Sequence, residues 1–137
     1  MNALHLWVAL GVAACAGCAT VPLLPEAAAV TLDRVSSAAV AVYQPKLVVK
    51  DGGLLLDGWV YRQFGAETTA QTHLDVAFLD AGGRELHREL TYFRPRDLRM
   101  GTHQMSHRGH YTLPIPAMPA DTAKILVRAH DDLAHQP

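Results

Sequence analysis

Short runs of aliphatic, β-branched and aromatic residues, separated by turn sequences, make up most of the chain beyond its N-terminal part. The turn sequences Asp51–Gly53 and Asp80–Gly83 each lie between two such runs, and they supply residues that tolerate the positive φ angles of tight hairpins. Leu74, Val76 and Phe78 alternate with other residues, which predicts a strand with one buried face. The pattern predicts strands over residues 38–43, 46–50, 54–63, 72–79, 84–93, 111–115 and 123–129.

Six or seven short strands joined by hairpins predict an all-β domain, and their spacing favours an immunoglobulin-like antiparallel β-sandwich. In the strand over 72–79, the alternation assigns His73, Asp75 and Ala77 to the solvent-facing side. Pro114 cannot donate to a ladder, so the strand over 111–115 is expected at a sheet edge.

The aromatic residues of this domain have two interpretations. Trp59 and Tyr61 share one face of their predicted strand, while Val60 takes the other. Packing in the core is the favoured role, and lining a ligand or peptide groove is the alternative. The same choice applies to Tyr92 and Phe93.

The first residues have the pattern of a cleaved export signal. Between Ala3 and Ala19 the only ionisable residue is His5, and the apolar run is too short to span a bilayer. No Lys or Arg precedes that run, which departs from the usual signal. Both cysteines of the chain, Cys15 and Cys18, lie where the segment ends, so the domain has no thiol for a disulfide or a metal.

The segment Val12–Pro22 resembles the lipobox of bacterial lipoproteins, in which small residues precede a lipidated cysteine. The resemblance implies lipidation at Cys18, or at Cys15, and an ordinary secretory signal or a retained anchor are the alternatives. Ala19 follows Cys18, and the absence of Asp there implies an outer-membrane protein that faces the periplasm. Two acyl chains would give a stable anchor.

These boundaries divide the chain into four parts: a signal peptide over 1–17, a lipidated N-terminus and linker over 18–37, the domain over 38–132 and a flexible tail over 133–137. Pro22, Pro25 and an Ala-rich run favour a tether in the second part, and a short helix over 26–43 is the alternative.

A second resemblance covers residues 76–115. The order of a strand, the turn Asp80–Glu85, a second strand and the segment Tyr92–Pro95 is similar to a group of small periplasmic lipoproteins with immunoglobulin-like folds. This resemblance implies no catalytic residue.

Composition excludes several classes of function. The net charge of -1 lacks the basic excess of a nucleic-acid-binding domain, so no nucleic-acid partner is expected. The domain has no cysteine, and Ser36, Ser37 and Ser106 lie in no nucleophile-elbow sequence. We therefore expect a protein that is not an enzyme and needs no cofactor.

The segment between the last two predicted strands has the most unusual composition. Thioether and imidazole groups both bind copper, and this predicts, as an alternative function, a periplasmic copper protein. The candidate ligands are Met100, His103, Met105, His107 and His110. An extended backbone would point His107 and His110 to opposite sides, which weakens the prediction.

Arginines flank the same segment, with Asp97 as the opposing charge. Guanidinium groups bind carboxylates and phosphates in a bidentate manner. We therefore expect a partner-binding patch that joins an envelope protein by charge pairing or by strand addition at the edge strand. The patch consists of Arg94, Arg96, Arg99 and Arg108.

Overall fold

The computed structural model describes residues 29–99 and 107–131. These residues form an all-β domain, which confirms the predicted fold class. Its strands are β1 (Thr31–Val35), β2 (Val40–Val42), β3 (Lys46–Lys50), β4 (Gly53–Arg62), β5 (His73–Leu79), β6 (Glu85–Thr91), β7 (Arg108–Ile115) and β8 (Lys124–His130).

The strands form two sheets that enclose one apolar core. The first sheet has the order β1-β8-β5-β6, with β1 parallel to β8. In the second sheet β4 lies between β7 on one side and both β2 and β3 on the other. This arrangement is consistent with a β-sandwich, and the closer assignment to an immunoglobulin-like fold stays a prediction.

The two predicted hairpins are present and depend on local turn chemistry. Asp51 and Gly52 join β3 to β4 with φ angles of 51° and 77°, and two consecutive positive φ values are typical of a type I′ turn. Between β5 and β6, the Asp80 side chain accepts hydrogen bonds from the backbone N–H groups of Gly82 and Arg84, both at 2.9 Å. These bonds fix the tight turn.

Alternate residues of both sheets form the core. Two glycines allow large rings to approach the backbone closely: a Cβ at Gly58 would lie 2.3 Å from the Tyr111 hydroxyl, and one at Gly109 would lie 2.6 Å from the Phe93 ring. The largest fully buried side chains are Tyr111, Phe78, Phe93, Leu56, Leu74, Leu98, Ile125, His73, Val40, Val60, Val76 and Val127.

The predicted linker over 18–37 is wrong in its second half, because β1 lies within it. The Thr31 N–H donates to the Ala123 carbonyl at 3.0 Å, and Leu32 packs against the core. The folded domain therefore includes residues before Ala38. No local pattern identified this strand, because it is stabilised by pairing with β8, which lies far along the sequence.

The predicted solvent-facing side of β5 is also wrong. His73, Asp75 and Ala77, assigned to solvent, are only 2%, 7% and 6% exposed. β5 lies between β6 and β8, and long side chains from both neighbours cover its outer side. Arg88 of β6 and His130 of β8 both contact the Asp75 carboxylate, at 3.3 and 3.2 Å.

β7 is an edge strand, as Pro114 predicted. It pairs with β4 along its whole length, while its other side has one isolated bridge, between Arg94 and His110. The strand begins at Arg108, which is earlier than the predicted start at Tyr111.

Candidate interaction surface

The alternation of β4 divides its side chains between the core and the outer face of the second sheet. Leu56 and Val60 are fully buried on the inner side. Asp57, Trp59 and Tyr61 point outward and are partly exposed. This strand therefore presents two large aromatic rings and a carboxylate on the outside of the domain.

β7 adds an arginine and a histidine to the same face through its register with β4. Arg108 lies opposite Tyr61, and His110 lies opposite Trp59. Arg94 lies on the other side of His110 from Trp59, because the backbones of Arg94 and His110 exchange two hydrogen bonds of 2.8 and 2.9 Å. Residues paired in this way project to the same side of a sheet.

We call this surface the aromatic–cationic face. It consists of Tyr43, Asp57, Trp59, Tyr61, Arg94, His107, Arg108 and His110.

Its centre is the Trp59 ring. The Arg108 guanidinium lies 4.8 Å from the centroid of this ring, a cation–π contact. The His110 ring lies 4.5 Å from it, centroid to centroid, and its Nε2 is hydrogen-bonded to the Asp57 carboxylate at 2.6 Å. These contacts order the side chains before any partner arrives, which lowers the entropy lost on binding.

At the other end of the face, two further rings surround Tyr61. Tyr43 meets it edge-on with centroids 5.8 Å apart, and His107 lies 6.0 Å away. Tyr43 is 59% exposed. Of the four aromatic residues discussed from sequence, Phe93 is buried, whereas Trp59, Tyr61 and Tyr92 all remain accessible to solvent.

The structure separates the predicted arginine patch into two groups. Arg94 and Arg108 belong to the aromatic–cationic face. Arg96 instead donates to the Ala70 carbonyl at 2.7 Å and stacks over Tyr92, with its guanidinium 4.1 Å from the ring centroid. Arg99 pairs with the neighbouring Asp97 at 3.3 Å.

Two residues that sequence reasoning missed hold the segment that carries Arg94 and Arg96. The buried Thr69 hydroxyl donates to the Arg96 carbonyl at 2.9 Å and accepts the Leu98 N–H at 2.7 Å. Arg62 donates to the Leu98 carbonyl at 2.7 Å. A signal was present for Arg62, because an arginine at an inward position of an alternating strand needs buried acceptors.

The proposed copper ligands are only partly described. Met100, His103 and Met105 lie outside the described residues, as do Cys15 and Cys18. His107 and His110 contact aromatic rings of the same face, so they do not point to the opposite sides that an extended backbone would give them. The reason is that β7 begins only at Arg108.

No group of three His, Cys, Asp or Glu side chains within residues 29–99 and 107–131 is arranged to hold a metal ion. Copper binding by the full ligand set stays a prediction.

Behind the face, the Tyr111 hydroxyl is buried and has no hydrogen-bond partner among the residues that the structure describes. Burial raises the pKa of this phenol far above its ordinary value, and the nearby Asp57 carboxylate acts in the same direction. Tyr111 therefore stays neutral near pH 7 and packs in the core.

Comparison with protein-family models, curated proteins and solved structures gave no match. Over the described parts of the chain, no helix has the length and apolar character needed to cross a bilayer.

Proposed function

We propose that this chain is a non-enzymatic interaction module of the bacterial cell envelope. In this proposal it is an outer-membrane lipoprotein, anchored through lipid on Cys18 or Cys15, with an immunoglobulin-like domain that faces the periplasm. It binds an envelope protein through the aromatic–cationic face. The observation that carries the proposal is that Trp59, Tyr61 and Tyr43 lie outside the core beside arginines.

The composition of the face supports an acidic protein partner. Trp, Tyr and Arg are the residues most enriched at binding hot spots. Among the described residues that define the face, Asp57 is the only carboxylate, and His110 already contacts it. Arg94 and Arg108 place two guanidinium groups on this face, and such groups favour carboxylates of the partner.

The edge of β7 supports a second element of recognition. One side of this strand pairs with β4. On its other side the His110 backbone pairs with Arg94, the Thr112 carbonyl accepts the Thr91 hydroxyl at 3.4 Å, and no further strand pairs with β7 within the described residues. An extended segment of a partner can add to such an edge through main-chain hydrogen bonds. Pro114 lacks a donor, so the addition would involve the part of β7 before it.

The serines that are described have structural roles. The Ser36 hydroxyl accepts the Val42 N–H at 3.0 Å, and the Ser37 hydroxyl accepts the Val40 N–H at 3.2 Å. The two bonds hold the first and the last residue of β2, so both hydroxyls have a structural role.

Charge reversal on the face tests the proposal. The full-length protein, purified from envelope membranes after mild cross-linking, is compared with the double variant Arg94→Glu/Arg108→Glu. Arg84→Glu/Lys124→Glu is the control, because it makes the same change of charge on the other sheet. We expect the cross-linked partner to be lost from the first variant and kept in the control. An unchanged partner in both variants would remove this face from the proposal.

A further inference from the structure

A second surface feature lies on the outer side of the first sheet, away from the aromatic–cationic face. It is a groove of about 200 Å³ between β6 and β8. Ala77, Leu79 and Leu126 contribute its apolar floor. The remaining lining residues are Asp75, Gly83, Glu85, Arg88 and Arg128.

The charges on the β6 side of the groove are already paired. Arg88 binds both oxygens of Glu85, at 3.1 and 2.6 Å, and its third contact is Asp75 at 3.3 Å. Asp75 is also 3.2 Å from His130. The Asp75 side chain is only 9% exposed and is closed to a ligand, whereas that of Glu85 is 41% exposed.

Arg128 is different, because it forms no hydrogen bond or ion pair within the described residues. Its strand position lies opposite Asp75, and its side chain is exposed at the groove. The hydrogen bond from Arg88 is the main cause that lowers the pKa of Glu85, and the charge of Arg128 adds to this effect. Glu85 and Arg128 therefore attract one another across the groove without touching.

The polar groups next to this groove, at the start of β5, are costly for stability. Within the described residues, both ring nitrogens of His73 are buried without a hydrogen-bond partner, although the Asp75 carboxylate lies 3.7 Å from Nε2, and the ring stacks on His130 with centroids 5.5 Å apart. Apolar side chains would fill the same space without unsatisfied donors and acceptors. Buried polar groups that depart from good core packing occur often at functional surfaces.

We propose that the groove binds an α-amino acid in its zwitterionic form. The carboxylate accepts two hydrogen bonds from the Arg128 guanidinium, which suits bidentate recognition. Each Glu85 oxygen accepts one bond from Arg88 and keeps a second lone pair, so the ammonium group donates to this accessible carboxylate, and an apolar side chain lies on Ala77 and Leu126. Two guanidinium groups and two carboxylates line the groove, so a ligand with separated charges and no net charge matches it best.

Calorimetric titration of the full-length protein in detergent tests this proposal. The probes are L-leucine, glycine and acetate, and the proteins are the parent chain, Arg128→Gln and Arg84→Gln. Arg84 is a matched control, because its side chain is 78% exposed and lies on the turn beside the groove. Arg128→Gln should weaken leucine binding by about tenfold or more, because it removes one charge-assisted contact, and Arg84→Gln should leave the affinity for leucine unchanged.

Leucine should also bind more tightly than glycine and acetate, because only leucine uses the apolar floor and both charges. The proposal is overturned if leucine shows no saturable binding, if Arg128→Gln binds it as well as the parent, or if acetate binds equally tightly. None of these results would bear on the aromatic–cationic face, which lies on the other sheet.

Discussion

Among the glycines that the structure describes, Gly58 leaves the least room for a Cβ, and this predicts the effect of one added methyl group. Gly58→Ala would place a Cβ 2.3 Å from the Tyr111 hydroxyl oxygen and 2.4 Å from Cζ of the same ring. Tyr111 is 1% exposed and lies directly opposite Gly58 in the register of β4 and β7. The ring cannot rotate away without displacing its core neighbours.

The magnitude follows from these distances. Overpacking a well-packed core costs about 1–3 kcal/mol. A contact this short against a rigid phenol ring belongs at the upper end, so we expect the free energy of unfolding to fall by about 3 kcal/mol. For a domain of this size the midpoint of thermal unfolding would fall by about 10–20 °C.

Urea and thermal unfolding of Gly58→Ala, Tyr111→Leu and the double variant measure this directly. The Tyr111→Leu substitution removes the ring atoms that the new methyl group would meet. In the Tyr111→Leu background, Gly58→Ala should therefore lower the free energy of unfolding by less than about 1 kcal/mol. A loss of the same size in both backgrounds would refute the argument, because it would assign the cost to β4 itself rather than to the ring.

Three further predictions follow from other contacts. Thr69→Val should lower the free energy of unfolding by about 1–3 kcal/mol, because the buried Leu98 N–H loses its acceptor; an unchanged urea midpoint would contradict this. Hydrogen bonds, first of all from the Arg84 backbone N–H, lower the pKa of Asp80 below 3.8, so its contribution to stability is present above that pH and is lost as the pH falls through the folded-state value. The urea midpoint should therefore decline less steeply on acidification in Asp80→Asn than in the parent, and parallel curves would argue against it. Mass spectrometry of the mature protein should find a lipidated N-terminal Cys18 or Cys15, and an unmodified N-terminus elsewhere would refute the anchor.

Local patterns predicted much of the fold. Two residues set the geometry of the Asp51-Gly52 turn, and both adopt a positive φ, which Asp tolerates and Gly adopts freely. The alternation of β4 likewise separated Trp59 and Tyr61 from Val60. These features depend only on residues that are close in sequence, so one sequence is enough to predict them.

What the sequence did not reveal depends on long-range pairing. β1 is stabilised by a parallel partner at the far end of the domain, and nothing near Thr31 in the sequence identifies that partner. The burial of Asp75 comes from Arg88 and His130 on two other strands. The predicted arginine patch divided for the same reason, since only the register of β7 decides that Arg108 lies over Trp59.

The most direct test of the proposed function is site-specific photo-crosslinking in living cells of the native host. A photoreactive phenylalanine analogue replaces Tyr43 on the aromatic–cationic face, which is 59% exposed, or Val35 on the other sheet, which is 41% exposed. The account predicts a protein adduct from position 43 that disappears when Arg94→Glu/Arg108→Glu is added, and no such adduct from position 35. An adduct of equal yield from both positions, or one that survives the charge reversal, would contradict the assignment of this face.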